Sequence, residues 1–259
     1  VHQGAILDQI PAFGFHALTL LFAASGIALA IVTYLIIPSE KSTSQNTVVS
    51  DIIEVLSNHK VVMSCLFAGL MVGPLEGFAD VWGTVFLKQV YGFDQTISAS
   101  LPSMIFIGMC FGAPVLSLIA DKVNSYLATI IGAGIAMAAS FALLLVWQLT
   151  YSAVSVSFVI VGVCCAYQIL AIYKASTYVR IEVAGLTTAV ANMIIMIFGY
   201  AFHTAIGMII NAFGGPTVSR ALLYGVAVIP VALCLGSAGF IVLLVIDRKR
   251  TATHPVTQT

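Results

Sequence analysis

The sequence predicts an all-α, polytopic membrane protein with seven transmembrane helices. Apolar residues make up 60% of the chain and charged residues only 8%, whereas a soluble domain carries roughly 25% charged residues. The mean hydropathy is +1.08. A soluble chain of 259 residues could not cover its surface with so few charges. Seven segments are also long enough to cross a bilayer, which takes about 20 apolar residues.

The seven apolar segments follow one another with short polar connections between most of them. They lie at residues 16–37, 60–87, 97–119, 126–147, 153–173, 184–211 and 221–246. The one long connection is residues 38–59, between the first span and the other six. Its second half is expected to form a short amphipathic helix at the membrane interface, with Ser50 as the N-cap and one apolar face of Ile52, Val55 and Leu56.

The positive charges predict the orientation, because loops that face the cytoplasm carry an excess of Lys and Arg. Two cations, Lys88 and Arg220, lie on one side of the predicted spans. Eight lie on the other side: Lys41, Lys60, Lys122, Lys174, Arg180, Arg248, Lys249 and Arg250. The long connection and the C-terminus are therefore expected in the cytoplasm, and the N-terminus outside.

Several classes of function are disfavoured by the sequence. No basic run could follow the phosphates of a nucleic acid, so no nucleic-acid partner is expected. The five cysteines lie in apolar runs without metal-ligand spacing, and no HExxH or paired-aspartate protease motif is present. We expect no enzyme activity, no catalytic residue, no metal and no cofactor. Residues 1–15 lack the features of a signal peptide, and the missing initiator Met indicates a fragment or a processed chain.

Polar residues within the spans are unevenly shared. On the second span one face carries Gly73, Glu76, Gly77, Asp80 and Thr84 at three- and four-residue steps. The sixth span has a similar stripe of Asn192, Gly199, His203, Gly207 and Asn211, and the fifth adds Ser157, Cys164 and Gln168. An ionisable group at the bilayer centre normally faces a cavity or a partner. We therefore infer that these three spans line an aqueous cavity, and that the first, fourth and seventh face lipid on most sides.

Glu76 is the leading candidate for a binding residue. It lies near the midplane just after Gly73 and Pro74, a pair expected to break the helix and expose backbone groups to a cavity. Glu76 is interpreted as a proton- or substrate-binding carboxylate or, alternatively, as the structural partner of a neighbouring helix. Asp80 lies one turn further and could couple to it. His203 is either a proton relay or a structural histidine.

Other polar residues have more open roles. Asn192 and Gln168 are expected to hydrogen-bond either across helices or to a substrate. Lys174, Arg180 and Glu182 lie at the predicted cytoplasmic interface, where solvated or snorkelling side chains are expected.

Small residues predict where helices pack closely. The third span has Gly108 and Gly112 in a GxxxG pair. The fourth span has a ridge at every fourth residue: Ala128, Gly132, Ala136 and Ser140.

Three stretches carry a resemblance to a known family. GAPVLSLIADK, residues 112–122, resembles the G-x-x-x-D-[RK] loop of the major facilitator superfamily, which joins helices 2 and 3 and recurs between helices 8 and 9. FLKQVYGFDQTISASLPSMIFIG, residues 86–108, resembles the family's outer turn between helices 7 and 8. GLTTAVANMIIMIFGYAF, residues 185–202, resembles the start of helix 11. The loop departs from the family's tightest form in its wider glycine-to-aspartate spacing and in lacking the trailing basic residues.

With this register the seven spans resemble helices 6 to 12 of the family. The resemblance implies the C-terminal six-helix bundle plus helix 6. Residues 1–37 would end the N-terminal half, 38–59 would form the cytoplasmic central linker, 60–247 the six-helix transporter domain, and 248–259 a cytoplasmic tail. In this family helices 7, 8, 10 and 11 face the central path, which agrees with the distribution of polar residues.

The resemblance also implies a function: transmembrane transport of a small polar metabolite by alternating access, coupled to protons, for instance as symport. The substrate- or proton-binding candidates are Glu76, Asp80, Gln168, Asn192 and His203. Asp121 and Lys122 become candidates for the cytoplasmic gate. The implied partners are the lipid bilayer, an amino acid, nucleoside or organic ion, H⁺, and the missing N-terminal half of the transporter.

A finer similarity and two alternatives remain. LEGFADVWG, residues 75–83, is similar to phagosomal amino-acid and nucleoside transporters of intracellular bacteria, which implies a bacterial inner membrane. A seven-helix receptor or sensor is one alternative, but it would need polar pocket residues on the first and seventh spans. The other is a membrane assembly subunit that binds a partner helix bundle through its polar faces.

Overall fold

The computed structural model describes residues 15–36 and 48–253, which are almost entirely helical and contain no β-strand. Seven helices in these ranges are long and apolar enough to cross a membrane. They run over Thr19–Ile36, His59–Tyr91, Gln95–Val123, Tyr126–Val146, Tyr151–Ser176, Ile181–Ala212 and Ser219–Lys249. The predicted all-α polytopic membrane protein is confirmed. Lys41, most of the first half of the predicted linker and the end of the tail lie outside the described residues.

Some spans are continuous helices and others contain an irregularity. The first, fourth and seventh are Phe15–Ile36, Tyr126–Val146 and Ser219–Thr253, and the sixth is Ala184–Ala212 after a 3₁₀ turn at Ile181–Val183. The second consists of His59–Gly77, a π turn at Phe78–Trp82, and Gly83–Tyr91. The third consists of Gln95–Ser100 and Ser103–Val123, and the fifth of Tyr151–Cys165 and Tyr167–Ser176. Side chains that accept a hydrogen bond from the first turn cap several of these helices: Asn58, Asp94, Ser125 and Thr150.

The chain divides into two compact units, residues 1–45 and 46–259. In the first unit the described part is the helix Phe15–Ile36, which contains no Asp, Glu, Lys or Arg. The second unit contains the other six spans and the linker helix, which we define as Val48–Ser57.

The core of the second unit forms around the second span, the most buried of its spans. This span packs against the fifth, sixth and seventh spans, and the fourth packs against the seventh. At the centre Phe78 is fully buried and meets Phe86, Phe141 and Phe158 edge-on, with ring centroids 5.1–6.0 Å apart. Such edge-to-face contacts add to the stabilisation that burial alone provides.

The two packing predictions from small residues have different outcomes. Gly108 and Gly112 do pack against the fifth span, where a Cβ at Gly112 would lie 2.6 Å from the Val163 carbonyl oxygen. The prediction that the small-residue ridge of the fourth span packs closely is wrong at Gly132, because a Cβ there would meet nothing within 4 Å. The close contact of that span is at Gly134, which packs against the seventh span and the second.

The linker helix is present, with a different start and a divided apolar face. It begins at Val48, so Ser50 lies inside its first turn and is not the N-cap. Val55 is buried against the bundle, whereas Leu56 is 49% exposed and Ile53 59% exposed. One apolar side chain therefore anchors the helix, and the others remain available to a membrane interface.

Candidate functional site

An open cavity lies between the second and sixth spans. Its volume is about 450 Å³, and it is lined by Glu76, Gly77, Asp80, Val81, Met196, Gly199, Tyr200 and His203. Three of the predicted binding residues, Glu76, Asp80 and His203, are thus brought together.

Glycines on the second span let the sixth span approach closely. Gly69, Gly73 and Gly77 recur every fourth residue. A Cβ at Gly69 would lie 2.5 Å from Phe198, and a Cβ at Gly73 would lie 2.7 Å from the same residue. A Cβ at Gly77 would lie 3.3 Å from the backbone of His203. Small residues at this spacing allow two helix backbones to touch. The close crossing places the two polar stripes side by side.

The predicted helix break at Gly73 and Pro74 is wrong. The α-helix continues through both residues to Gly77, because Pro74 removes only one N–H and a membrane helix tolerates the loss. The irregularity comes one turn later, as the π turn at Phe78–Trp82. Gly73 serves close packing instead.

The π turn sets which residues face the cavity. The N–H of Gly83 bonds to the Phe78 carbonyl, five residues back, and a Cβ at Gly83 would lie only 2.8 Å from that oxygen. The extra residue in the turn rotates the chain that follows. Asp80 and Val81 line the cavity, whereas Thr84, predicted on the same face, does not. π turns of this kind often occur at functional sites.

Glu76 is half-buried and borders two cavities. Its carboxylate lies over Gly199, where a Cβ would overlap the Oε2 atom. On its other side is a small apolar cavity of about 40 Å³, lined by Val72, Leu75, Ala79, Ile105, Phe106, Met109 and Cys165 together with Glu76. Neither Glu76 nor the exposed Asp80 forms an ion pair with a described residue. The eight residues around the larger cavity include two carboxylates and one imidazole but no Lys or Arg.

Trp82 connects the second span to the sixth beside the cavity. Its indole N–H donates a hydrogen bond to the His203 carbonyl at 3.3 Å, and the Trp82 and His203 ring centroids are 6.5 Å apart. A Cβ at Gly207 would lie 2.9 Å from the indole ring. Gly207, predicted as part of the polar stripe, is therefore a packing position for Trp82.

The remaining predicted site residues lie elsewhere. Gln168 is half-buried on the fifth span and Asn192 is exposed on the sixth, and neither lines the cavity. Asn192 precedes His203 by three helical turns, about 16 Å along the axis. Asp121 and Lys122 are exposed at the end of the third span. The binding and gating roles of these four residues stay predictions.

Three charged residues and a tyrosine form a cluster at the end of the bundle that carries the linker helix. We call Lys60, Lys174, Tyr178 and Asp247 the charge cluster. Lys60 and Lys174 pair with the Asp247 carboxylate at N–O distances of 2.5 and 3.2 Å. The Tyr178 hydroxyl donates a hydrogen bond to the same carboxylate at 2.6 Å. Sequence reasoning missed this cluster, because its members come from three distant parts of the chain, at residues 60, 174–178 and 247.

Arg180 binds the linker helix. Its guanidinium lies 2.6 Å from a Glu54 carboxylate oxygen and 3.4 Å from one of Asp51. The hydrogen bond from Arg180 lowers the pKa of Glu54 and raises the pKa of Arg180. Lys174 and Arg180 are therefore paired, which the expectation of solvated or snorkelling side chains did not include, although the Arg180 side chain is 46% exposed.

Comparison with known families agrees with this architecture. The family model of the Major Facilitator Superfamily matches residues 4–202, which is 199 of the 259 residues. The chain belongs to the major facilitator superfamily. As a major facilitator protein it is an integral, multi-pass membrane protein of a transporter family. No curated protein matched the chain.

The polar groups of this major facilitator protein offer proton and hydrogen-bond chemistry. Two carboxylates, an imidazole and the Tyr200 hydroxyl line one open cavity. Within residues 15–36 and 48–253, no group of three or more His, Cys, Asp or Glu side chains is placed to hold a metal ion.

Proposed function

We propose that this major facilitator protein moves a small polar solute by proton-coupled alternating access, and that the cavity between the second and sixth spans binds the solute. One observation carries the proposal. Glu76 is half-buried in the middle of a span beside an open cavity, and no described residue pairs with its charge. A lone charge at the bilayer centre costs about 3 kcal/mol or more. A bound proton or a cationic group of the solute would remove that cost.

The charges of the cavity favour a solute that carries a positive group. Asp80 adds a second carboxylate one turn from Glu76, and the lining contains no Lys or Arg. Such a surface attracts cations and repels anions. The protonated amine of an amino acid or of another organic cation fits these charges. His203 adds an imidazole to the same lining.

The register of helices 6 to 12 is also part of the proposal. It makes the second and sixth spans helices 7 and 11, which would face the central path, and these two spans line the cavity. All the residues that line the open cavity belong to these two spans. We therefore infer that a second helix bundle closes its open side. The domain boundaries at 37, 59 and 247 and the cytoplasmic C-terminus follow this register and the Lys and Arg distribution. The bacterial inner membrane and the phagosomal branch stay predictions from resemblance.

The test is solute-driven proton movement in proteoliposomes that contain the complete transporter. Amino acids, nucleosides and organic amines would be screened with an internal pH dye. Glu76→Gln is expected to slow proton movement at least about tenfold, a loss of roughly 1.4 kcal/mol, with unchanged protein in the membrane. The matched control is Glu182→Gln. This change neutralises an exposed carboxylate that does not line the cavity. Undiminished proton-coupled transport by Glu76→Gln would refute the proposed role of this carboxylate.

A further inference from the structure

A further cavity, separate from the two beside Glu76, lies next to the charge cluster, and we call it the second cavity. Its volume is about 690 Å³, and it is lined by Val123, Asn124, Ser125, Tyr126, Leu127, Lys174, Leu244, Asp247 and Arg248. It lies between the turn that joins the third and fourth spans and the ends of the fifth and seventh spans. It shares no residue with the cavity that contains Glu76.

Positive charge is in excess around this second cavity. Both oxygens of Asp247 are already engaged, Oδ1 by Lys60 and Oδ2 by Lys174 and the Tyr178 hydroxyl. Arg248 also lines the cavity and forms no ion pair with a described carboxylate. Three cations therefore surround one carboxylate, which leaves an excess of two positive charges.

Water screens this excess only in part. The side chains of Lys60 and Lys174 are 9% and 24% exposed. Their ammonium groups lie 5.0 and 4.7 Å from the centre of the Tyr178 ring, and cation–π attraction stabilises both cations there. The ring has no net charge, however, so the excess remains. Asp121 and Lys122, exposed at the end of the third span, add one charge of each sign and leave the balance unchanged.

The lining of the cavity joins polar and apolar groups where the spans end. Asn124, with φ at 52°, and Ser125 form the turn on one side. The helix Tyr126–Val146 begins at this turn, and helix N-termini attract anions. Val123, which is 53% exposed, and the half-buried Leu244 supply apolar surface. This combination suits a phosphate group that is attached to a hydrocarbon chain.

We propose that the second cavity binds the phosphate of an anionic phospholipid, with Lys174 and Arg248 as the contacts to the phosphate oxygens. The headgroup phosphate neutralises one of the two excess charges, and the start of an acyl chain lies against Val123 and Leu244. Free inorganic phosphate offers the same oxygens without the chain, so the experiment separates these two sources.

The test uses native mass spectrometry of the purified 259-residue chain with three probes: phosphatidylglycerol, phosphatidylcholine and inorganic phosphate. The chain is expected to bind phosphatidylglycerol more tightly than phosphatidylcholine. Arg248→Gln is expected to weaken phosphatidylglycerol binding about fivefold, since a basic residue near a membrane surface contributes about 1 kcal/mol. Lys174→Gln combined with Arg248→Gln is expected to weaken it further. The matched control is Arg220→Gln, an exposed arginine at the start of the seventh span, which should bind like the unmodified chain.

Each outcome decides the proposal. In one outcome, millimolar inorganic phosphate displaces phosphatidylglycerol, and Arg248→Gln binds neither the lipid nor the phosphate. This outcome would assign the cavity to soluble phosphate and overturn the lipid assignment. Unchanged phosphatidylglycerol binding in Arg248→Gln would overturn the site itself. Lys174→Gln removes a partner of Asp247, so if the double variant unfolds, Arg248→Gln alone decides, because Arg248 is exposed and outside the charge cluster.

Discussion

Glu76 and Gly199 show how the size of one residue fixes the position of another residue's charge. The Glu76 carboxylate lies over Gly199, and a Cβ there would overlap Oε2. The glycine therefore provides room for the carboxylate at the cavity wall. The sequence places both residues on polar stripes, but their contact depends on how the two spans cross. Spacing along one helix could not predict it.

Gly199→Ala is expected to displace the Glu76 carboxylate and slow solute-driven proton movement about tenfold to a hundredfold, because displacing a reacting group by about 1 Å has effects of this size. The measurement is the proteoliposome assay described above. Gly185→Ala, in the same span, is the control, since a Cβ there meets nothing within 4 Å. Equal transport by the two variants would show that Gly199 does not position Glu76.

At the scale of elements, the crossing of the second and sixth spans depends on glycines. Gly73→Ala is expected to destabilise the folded protein by about 1–3 kcal/mol, the usual range for overpacking. A Cβ at Gly73 would lie 2.7 Å from the Phe198 carbonyl oxygen, a backbone atom that cannot rotate away. Thermal unfolding in detergent measures the effect. Gly132→Ala, which adds a methyl group in open space, should be no less stable than the unmodified chain.

The linker helix should detach only in acid. Because Arg180 lowers the pKa of Glu54 below its ordinary value of 4.5, their pairing stabilises the docked helix above that pH. The stabilisation is lost as the pH falls through the lowered value. A spin label at residue 53, an exposed position, should have the same mobility at every pH from neutral down to 4.5, and should become more mobile only as the pH falls further.

This experiment has internal controls. Cys110, Cys164 and Cys234, which are exposed or partly exposed, are first replaced by Ala, and Ile53→Cys then confines the label to residue 53. Glu54→Gln should raise the mobility already at neutral pH, whereas Glu182→Gln should leave it unchanged. A label equally mobile in Glu54→Gln and in the parent protein at neutral pH would mean that the Arg180–Glu54 pair does not hold the linker helix.

What could be predicted from the sequence differs between kinds of feature. The spans and the Gly108–Gly112 contact follow from hydropathy and small-residue spacing, which are local properties. The π turn depends on packing around Gly83, where a Cβ would also lie 3.1 Å from Pro102. The charge cluster joins residues that are far apart in sequence. The π turn and the charge cluster both arise from tertiary contacts, so the periodicity of the sequence does not reveal them.

For the whole molecule, the uneven distribution of polar residues indicates where the cavity is, with one difference. The second and sixth spans line the cavity that contains Asp80 and His203, as predicted. The fifth span packs on another face of the second span, and its Cys165 borders the small apolar cavity on the far side of Glu76. Gln168 therefore does not line the cavity between the second and sixth spans. The family match favours the transporter interpretation over the receptor and assembly-subunit alternatives.

The most direct test of the proposed role of Glu76 is its labelling by a carbodiimide in the proteoliposomes of the transport assay, read by peptide mass spectrometry. A carbodiimide modifies carboxyl groups that accept a proton and that the reagent can reach. We predict an adduct at Glu76 that organic amines from the solute panel suppress and that equally concentrated organic anions do not. No adduct at Glu76, or one that no amine suppresses, would contradict the claim that this carboxylate binds the proton or the cationic solute.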